Sequence, residues 1–233
     1  MALPSKENSA SARSRVDTVL FDYGLVLTGP PNPAAWAQMR EVSVLTEDAL
    51  HEAYWHFRHD YDRGALNGAA YWKAVAERVR TSFNPDQIAA LEALDVDLWT
   101  VPNQPMIAWA QRLQRAGVRT GILSNIGDAI AKGIVERLPW LAEFYHCTWS
   151  HALSLAKPDP EIYCKTAELL HTPLERILFI DDREVNVEAA KSLGMQAVHY
   201  TTQYEFERAM QEGGYGMLLK IGLVPATPAM QPA

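Results

Sequence analysis

Residues 16–22 read Val-Asp-Thr-Val-Leu-Phe-Asp, a short β-rich run that ends on a carboxylate. Two later runs take the same form, Val118 to Asn125 (VRTGILSN) and Arg176 to Asp182 (RILFIDD). In each the apolar stretch is short and almost unbroken. A strand with water on one face alternates apolar and polar residues, whereas a strand covered on both faces has no reason to. The three runs therefore predict inner strands of a parallel sheet. Gln196 to Thr201 (QAVHYT) is a fourth candidate, and the segment around Cys147 to Ser150 a weaker fifth.

Helical patterns follow the strands. Between Pro105 and Ala116, Met106, Trp109/Ala110 and Leu113 share one stripe, and Gly117 stands where a helix stops. Glu184 to Leu193 repeats the device with Val185, Ala189 and Leu193 spaced by four, closed by Gly194. Alternating strands and helices predict an α/β fold with a doubly wound, mainly parallel sheet. From Pro33 to about Pro102 the alternation breaks. That stretch has no convincing strand but carries Trp36, Trp55, Trp72 and Trp99 among helical spacings such as Tyr71, Val75 and Val79. It predicts a helical insertion after the first strand, its tryptophans acting as packing anchors. Residues 33–102 are thus expected to be α-helical, and 16–32 with 103–224 to form the α/β core. Residues 1–15 and 225–233, rich in Ala, Ser, Pro and Gln, are expected to be disordered ends.

Composition narrows the function. The 233 residues are 48% hydrophobic and 21% charged, with a formal net charge of −7. Nucleic-acid backbones are bound by clustered Lys and Arg, and no basic stripe occurs, so no nucleic acid is expected as a partner. An acidic chain can still handle an anionic substrate if a cation is recruited locally. Cys147 and Cys164 are too few for a disulfide framework and fit no zinc spacing, so they read as small buried thiols in a reducing compartment. The stretch from Ser5 to Asp17 lacks the apolar centre of a signal peptide. No apolar run approaches the roughly 20 residues that span a bilayer. The expectation is a cytoplasmic protein with no membrane partner.

In open α/β sheets, ligands bind beyond the carboxyl ends of the strands. Here those ends offer Asp22, Ser124 with Asn125, and Asp181 with Asp182. Adjacent ionised carboxylates repel one another when partly buried, and a hard cation such as Mg²⁺ relieves the repulsion. Taken alone, the Asp181-Asp182 pair reads first as a helix N-cap. Asp22, ending another apolar strand and followed by Gly24, shifts the reading toward a shared ion. An aspartate at such a point can act as a nucleophile, provided a metal and a lysine offset its charge against phosphate. Lys157, in LAKPDPEIY, is the candidate lysine. Pro158 and Pro160 stiffen its approach, although a lone loop lysine is ordinarily solvated.

FDYGLVLT, LSN, KPDPEIY and FIDDREVNVEAAKSLGM together resemble, in order and spacing, the four motifs of the haloacid dehalogenase-like hydrolases. The resemblance runs from Asp22 to Tyr200, and the nearest likeness is to the phosphatase branch with a helical cap after the first strand. YDRGALNGAAYW looks like the cap motif of that branch. The resemblance implies a Rossmann-like core and an Mg²⁺-dependent phosphatase that forms an aspartyl-phosphate on Asp22. Asp22 matches the nucleophile and a metal ligand, and the Gly24 carbonyl matches a second ligand. Ser124 and Asn125 match the groups that hold the phosphoryl, and Lys157 matches the lysine that neutralises it. Asp181 and Asp182 match the acidic pair that holds the metal. Asn186 occupies a position often acidic in relatives.

One departure stands out. The phosphatase pattern has a second Asp two residues after the nucleophile, serving as general acid and base. Gly24 stands there in this chain. His51, His56, His59 and Asp62 are possible replacements, each also readable as an ordinary surface or packing residue. The expected substrate is a small phosphorylated metabolite such as a sugar phosphate. Two alternatives stay open: a 2-haloacid dehalogenase, and a non-catalytic protein that binds metal and phosphometabolite.

Overall fold

The computed structural model describes residues 15–223. The ends expected to be disordered lie outside them, Arg15 excepted. Five strands form one parallel sheet: β1 (Thr18–Phe21), β2 (Arg119–Ser124), β3 (His146–Trp149), β4 (Ile177–Asp181) and β5 (Gln196–His199). Their order is β3-β2-β1-β4-β5, so β1 is central and the chain winds outward from it in both directions.

Between β1 and β2 come α1 (Pro33–Ser43), α2 (Glu47–His56), α3 (Arg58–Asp62), α4 (Gly68–Arg78), α5 (Pro85–Leu98) and α6 (Gln104–Arg115). After β2 follows α7 (Asp128–Arg137), and after β3 come the short α8 (Ser150–Leu153) and α9 (Pro160–Leu169). Helix α10 (Glu184–Ser192) links β4 to β5, and α11 (Gln203–Glu212) and α12 (Gly216–Lys220) follow.

Every residue of β1 and β4 is buried, as their unbroken apolar runs require. Side chains alternate across a strand, so Val19 and Phe21 join one apolar cluster and Leu20 joins the other. Trp109 and Leu113 of α6 and Phe206 of α11 cover the first face. Ile162 and Tyr163 of α9 and Ala190 of α10 cover the second. The α6 stripe is as predicted, with Met106, Trp109, Ala110 and Leu113 buried and Gly117 at φ +79°. The α10 stripe is not. Val185 is 49% exposed, and the buried face carries Asn186, Val187 and Ala190. A spacing of four marks a stripe without saying which stripe turns inward. Here a buried hydrogen bond from Asn186 to Asp181 sets the rotation.

Residues 33–98 contain five helices and no strand. Side-chain caps explain four of the five starts, all but that of α3: Asn32, Thr46, Asn67 and Asn84 each accept a first-turn N–H, and Asn84 forms a reciprocal box with Gln87. The insertion enters and leaves through one narrow neck. Thr28 bridges Pro102, and Asn103 Nδ2 donates to Val26 O at 2.8 Å. Tyr54, Tyr71, Trp72 and Leu91 of the insertion share one apolar cluster with Phe21 and Ile122 of the sheet. Of the four tryptophans, Trp72 is fully buried and Trp36 and Trp99 are partly buried, but Trp55 is 46% exposed and is no core anchor. Cys147 and Cys164 are free thiols, only partly buried rather than enclosed.

Candidate active site

The register of the sheet brings the strand tips together. Phe21 lies opposite both Ile122 and Ile180, so the next residues, Asp22, Leu123 and Asp181, stand level on three adjacent strands. The Asp22 amide donates to Ile180 O at 2.8 Å, which carries the pairing one residue past β1. The chain then doubles back. Tyr23 N–H donates to Asp22 Oδ1 (2.7 Å), and Thr28 N–H donates to Tyr23 O (3.0 Å). Gly24 is not what allows this turn, because its φ of −66° and ψ of 135° suit any residue. Leu25 takes the left-handed conformation instead, at φ 58°. A side chain at position 24 would have room, its Cβ meeting nothing nearer than the Trp99 ring at 3.9 Å.

Lys157 is buried, at 2% exposure, which overturns its reading as a solvated loop lysine. Its ammonium lies 2.9 Å from Asp22 Oδ1 and 2.7 Å from Asp181 Oδ2, and donates to Leu123 O at 3.0 Å. Asn125 clamps its backbone: Asn125 Nδ2 donates to Lys157 O (2.9 Å), and Lys157 N–H donates to Asn125 Oδ1 (2.8 Å). The peptide bond from Lys157 to Pro158 is cis.

Asp181 is fully buried, and its Oδ1 accepts from Arg183 N–H (2.8 Å) and Asn186 Nδ2 (2.9 Å). The N-cap reading of the aspartate pair fails, because the cap position of α10 is Arg183, which makes no side-chain cap. Asp182 points its carboxylate toward the others instead. Ligand oxygens of Asp22, Asp181 and Asp182 all lie within 4.8 Å of one another.

Three carboxylates around one ammonium leave an excess of negative charge in a buried place. Burial pushes the Asp22 carboxyl up to about 8; Lys157 pulls against this, and Asp181 and Asp182 add to it. Asp182 is raised likewise, by burial and then by Asp181. Burial works against the charge of Lys157, but Asp181 and Asp22 outweigh it and hold the ammonium above its ordinary value.

Above this cluster opens a cavity of about 420 Å³. Asp22, Gly24, Ser124, Asn125, Lys157 and Asp182 all line it, while Asp181 lies beneath, joined through Lys157. Asn186 also lines the cavity, and its buried side-chain oxygen has no hydrogen-bond partner among the described residues. The opposite wall comes from the insertion: Trp55, Arg58, His59, Asp62 and Trp99. Of the four proposed acid–base replacements, His59 and Asp62 reach the cavity. His51 packs edge-on against Trp36 at 6.2 Å, and His56 sits 4.0 Å from Glu52. Arg58 was not singled out from the sequence, and the two wall tryptophans were read there only as packing anchors. Arg58 could have been, since it precedes Asp62 by four residues, the spacing of an ion pair on one helical face.

A model of the haloacid dehalogenase-like hydrolases matches residues 16–194, which include Asp22, Ser124, Asn125, Lys157, Asp181 and Asp182. The chain belongs to the haloacid dehalogenase-like hydrolases. Among curated proteins, this hydrolase is 25% identical over 197 residues to bifunctional epoxide hydrolase 2 of Sus scrofa, covering 77% of the chain and 35% of that protein. The chain thus spans about a third of that relative's length. A haloacid dehalogenase family enzyme of Bacteroides thetaiotaomicron, solved with magnesium and inorganic phosphate, shares the fold at a TM-score of 0.65 and 18% identity, over 81% of this chain and 96% of that one. L-2-haloacid dehalogenase of Xanthobacter autotrophicus, solved with chloropropionic acid covalently bound, aligns at a TM-score of 0.59 and 17% identity, over 87% of this hydrolase and 86% of that chain. At these identities the solved structures speak to the fold.

Proposed function

We propose that this hydrolase is a magnesium-dependent phosphatase of small phosphorylated metabolites, with Asp22 as the residue that receives the phosphoryl group. The supporting observation is the meeting of Asp22, Asp181, Asp182 and Lys157 at the floor of one cavity. A hard divalent cation fits this donor set. The ligands are oxygens, and their charge exceeds that of the one lysine. Asp22, Asp182 and the Gly24 carbonyl would hold the ion, with Asp181 bracing it from below directly or through water. Magnesium, when bound, supplies positive charge against the oxygens of the substrate phosphate.

The chain's own residues do the rest. Lys157 favours the ionised form of Asp22 against burial, which on balance still raises it, and offsets the repulsion between carboxylate and phosphate. Ser124, at the tip of β2 and lining the cavity, donates its hydroxyl to the transferring group. Asn125 spends one amide hydrogen on Lys157 O and keeps the other for phosphate, so it both positions the lysine and binds. The five helices of residues 33–98 act as the cap that excludes bulk water while the phosphoryl group moves. Halide displacement, the other chemistry represented among similar structures, has no use for a third carboxylate beside Asp22 and Asp181.

A panel of phosphorylated metabolites, sugar phosphates included, assayed with and without Mg²⁺ and with Asp22→Asn as the blank tests this reading. Magnesium-dependent phosphate release that vanishes in the variant is the expected result. Metal-independent turnover of a 2-haloacid, binding without any turnover, or activity surviving the substitution would each defeat it.

A further inference from the structure

We propose that Asp62, contributed by the helical insertion, is the proton donor to the leaving alcohol and then the base that activates water. The proposal rests on the phosphatase reading and fills the position for which Gly24 has no side chain.

Three observations carry it. First, Asp62 lines the same cavity as Asp22, Ser124 and Lys157. Second, its backbone is tied to the phosphoryl end of that cavity. The Ser150 hydroxyl donates to Asp62 O and accepts from Ile126 N–H at 2.8 Å, and Ile126 is two residues beyond Ser124. Third, the cation beside it is shared. Arg58 is a single guanidinium shared by two carboxyls: its Nε donates to Asp62 Oδ1 at 2.9 Å, and its Nη1 lies 3.3 Å from both oxygens of Asp95.

Asp95 is 1% exposed and also accepts from Tyr54 OH at 2.8 Å, so it is sealed and satisfied. Asp62 has only the Arg58 bond on Oδ1, while Oδ2 has no hydrogen-bond partner among the described residues, and the side chain stays 15% exposed. A buried ion network is weak evidence for stability, since desolvation offsets its attraction. This one stops at the cavity wall, with one carboxyl oxygen free.

Burial raises the Asp62 carboxyl, Arg58 opposes this, and Asp95 adds to it. The ionisable groups that act on it are Arg58 and His59 on α3, Asp95 on α5 and Tyr71 on α4. His59 shares the wall, but no hydrogen bond orients its ring among the described residues. Asp62 is oriented at both its side chain and its carbonyl.

The proton balance closes over two steps. Asp22 carboxylate attacks the phosphorus of the ester, the P–O bond to the alcohol breaks, and Asp62 gives its proton to the departing oxygen. Asp62, now ionised, takes a proton from water as the water oxygen attacks the same phosphorus. The bond to Asp22 breaks, inorganic phosphate leaves, and Asp62 is protonated again.

The test compares p-nitrophenyl phosphate, whose leaving group needs no proton, with a simple alkyl phosphate, whose leaving group does. Both are assayed with Mg²⁺ on the wild type, Asp62→Asn and His59→Gln. Asp62→Asn keeps the oxygen that accepts from Arg58 and removes only the titratable proton. Alkyl ester hydrolysis should fall by roughly 10²- to 10⁴-fold. The first release of p-nitrophenol should be nearly unchanged, and the phosphorylated enzyme should accumulate because water is no longer activated. Equal losses of the first turnover on both esters, no loss on either, or the leaving-group effect appearing in His59→Gln instead would overturn the assignment. A wild type that hydrolyses neither ester would overturn the phosphatase reading and this role with it. If Asp62→Asn does not fold, the wild-type pH profile decides. A rate that falls toward high pH for the alkyl ester but not for p-nitrophenyl phosphate supports Asp62, and identical profiles overturn it.

Discussion

At the scale of single residues, the site is governed by an imbalance of charge. Burial pushes Asp22 up to about 8, so below that pH the carboxyl keeps a proton that a metal must displace. The affinity for Mg²⁺ is therefore expected to rise with pH as it approaches 8 and to level off above. Titration calorimetry in two buffers of different ionisation enthalpy should register proton release below that pH and little above it. An affinity that ignores pH would contradict the shift. Lys157 is the other half of the balance. Lys157→Met removes the cation between two buried carboxylates and is expected to cost on the order of 3–5 kcal/mol in a urea melt. A loss under about 1 kcal/mol, the worth of an exposed pair, would mean that the carboxylates are solvated.

At the scale of elements, the insertion presses closely on the core where glycines permit it. A Cβ on Gly127 would fall 2.1 Å from the Tyr61 ring, and one on Gly133 would fall 2.4 Å from Val96. Gly127→Ala is therefore expected to destabilise by about 1–3 kcal/mol, the usual cost of overpacking, as read by chemical denaturation. An unchanged midpoint would show that α3 yields easily. The strands and their polar tips were legible from the sequence, because a short unbroken apolar run that ends on polar residues suits a strand covered on both faces. The burial of Lys157, the inward turn of Asn186 and the Arg58 network were not. Lys157 and the Arg58 network depend on partners remote in the chain, as with Lys157 and Asp181, 24 residues apart, or Asp62 and Ser150, 88 apart, whereas Asn186 turns inward on Asp181, five residues before it, through a polar bond that an apolar stripe does not register. Local periodicity carries no record of such pairings. Arg58 with Asp62 lies within its reach, but the branch from Arg58 to Asp95, 37 residues on, does not.

At the scale of the whole molecule, the net charge of −7 and the acidic cluster make a recruited cation central to the proposed reaction. Among the described residues, no helix is long and apolar enough to cross a membrane. A ligand that binds only the folded state stabilises it, by about 2.7 kcal/mol at a hundredfold excess over Kd. Mg²⁺ is thus expected to raise the melting temperature, with a chelator reversing the rise and Asp182→Asn largely abolishing it. A melt indifferent to Mg²⁺ would argue against a metal site at the strand tips. The bond that water breaks is more decisive still. Hydrolysis of p-nitrophenyl phosphate in water bearing heavy oxygen, with the released phosphate and the peptide containing Asp22 both read by mass spectrometry, locates it directly. Phosphoryl transfer through Asp22 predicts heavy oxygen in the phosphate and none in the Asp22 carboxyl; heavy oxygen built into Asp22 would mean that water attacks its carbonyl carbon, and would contradict the mechanism.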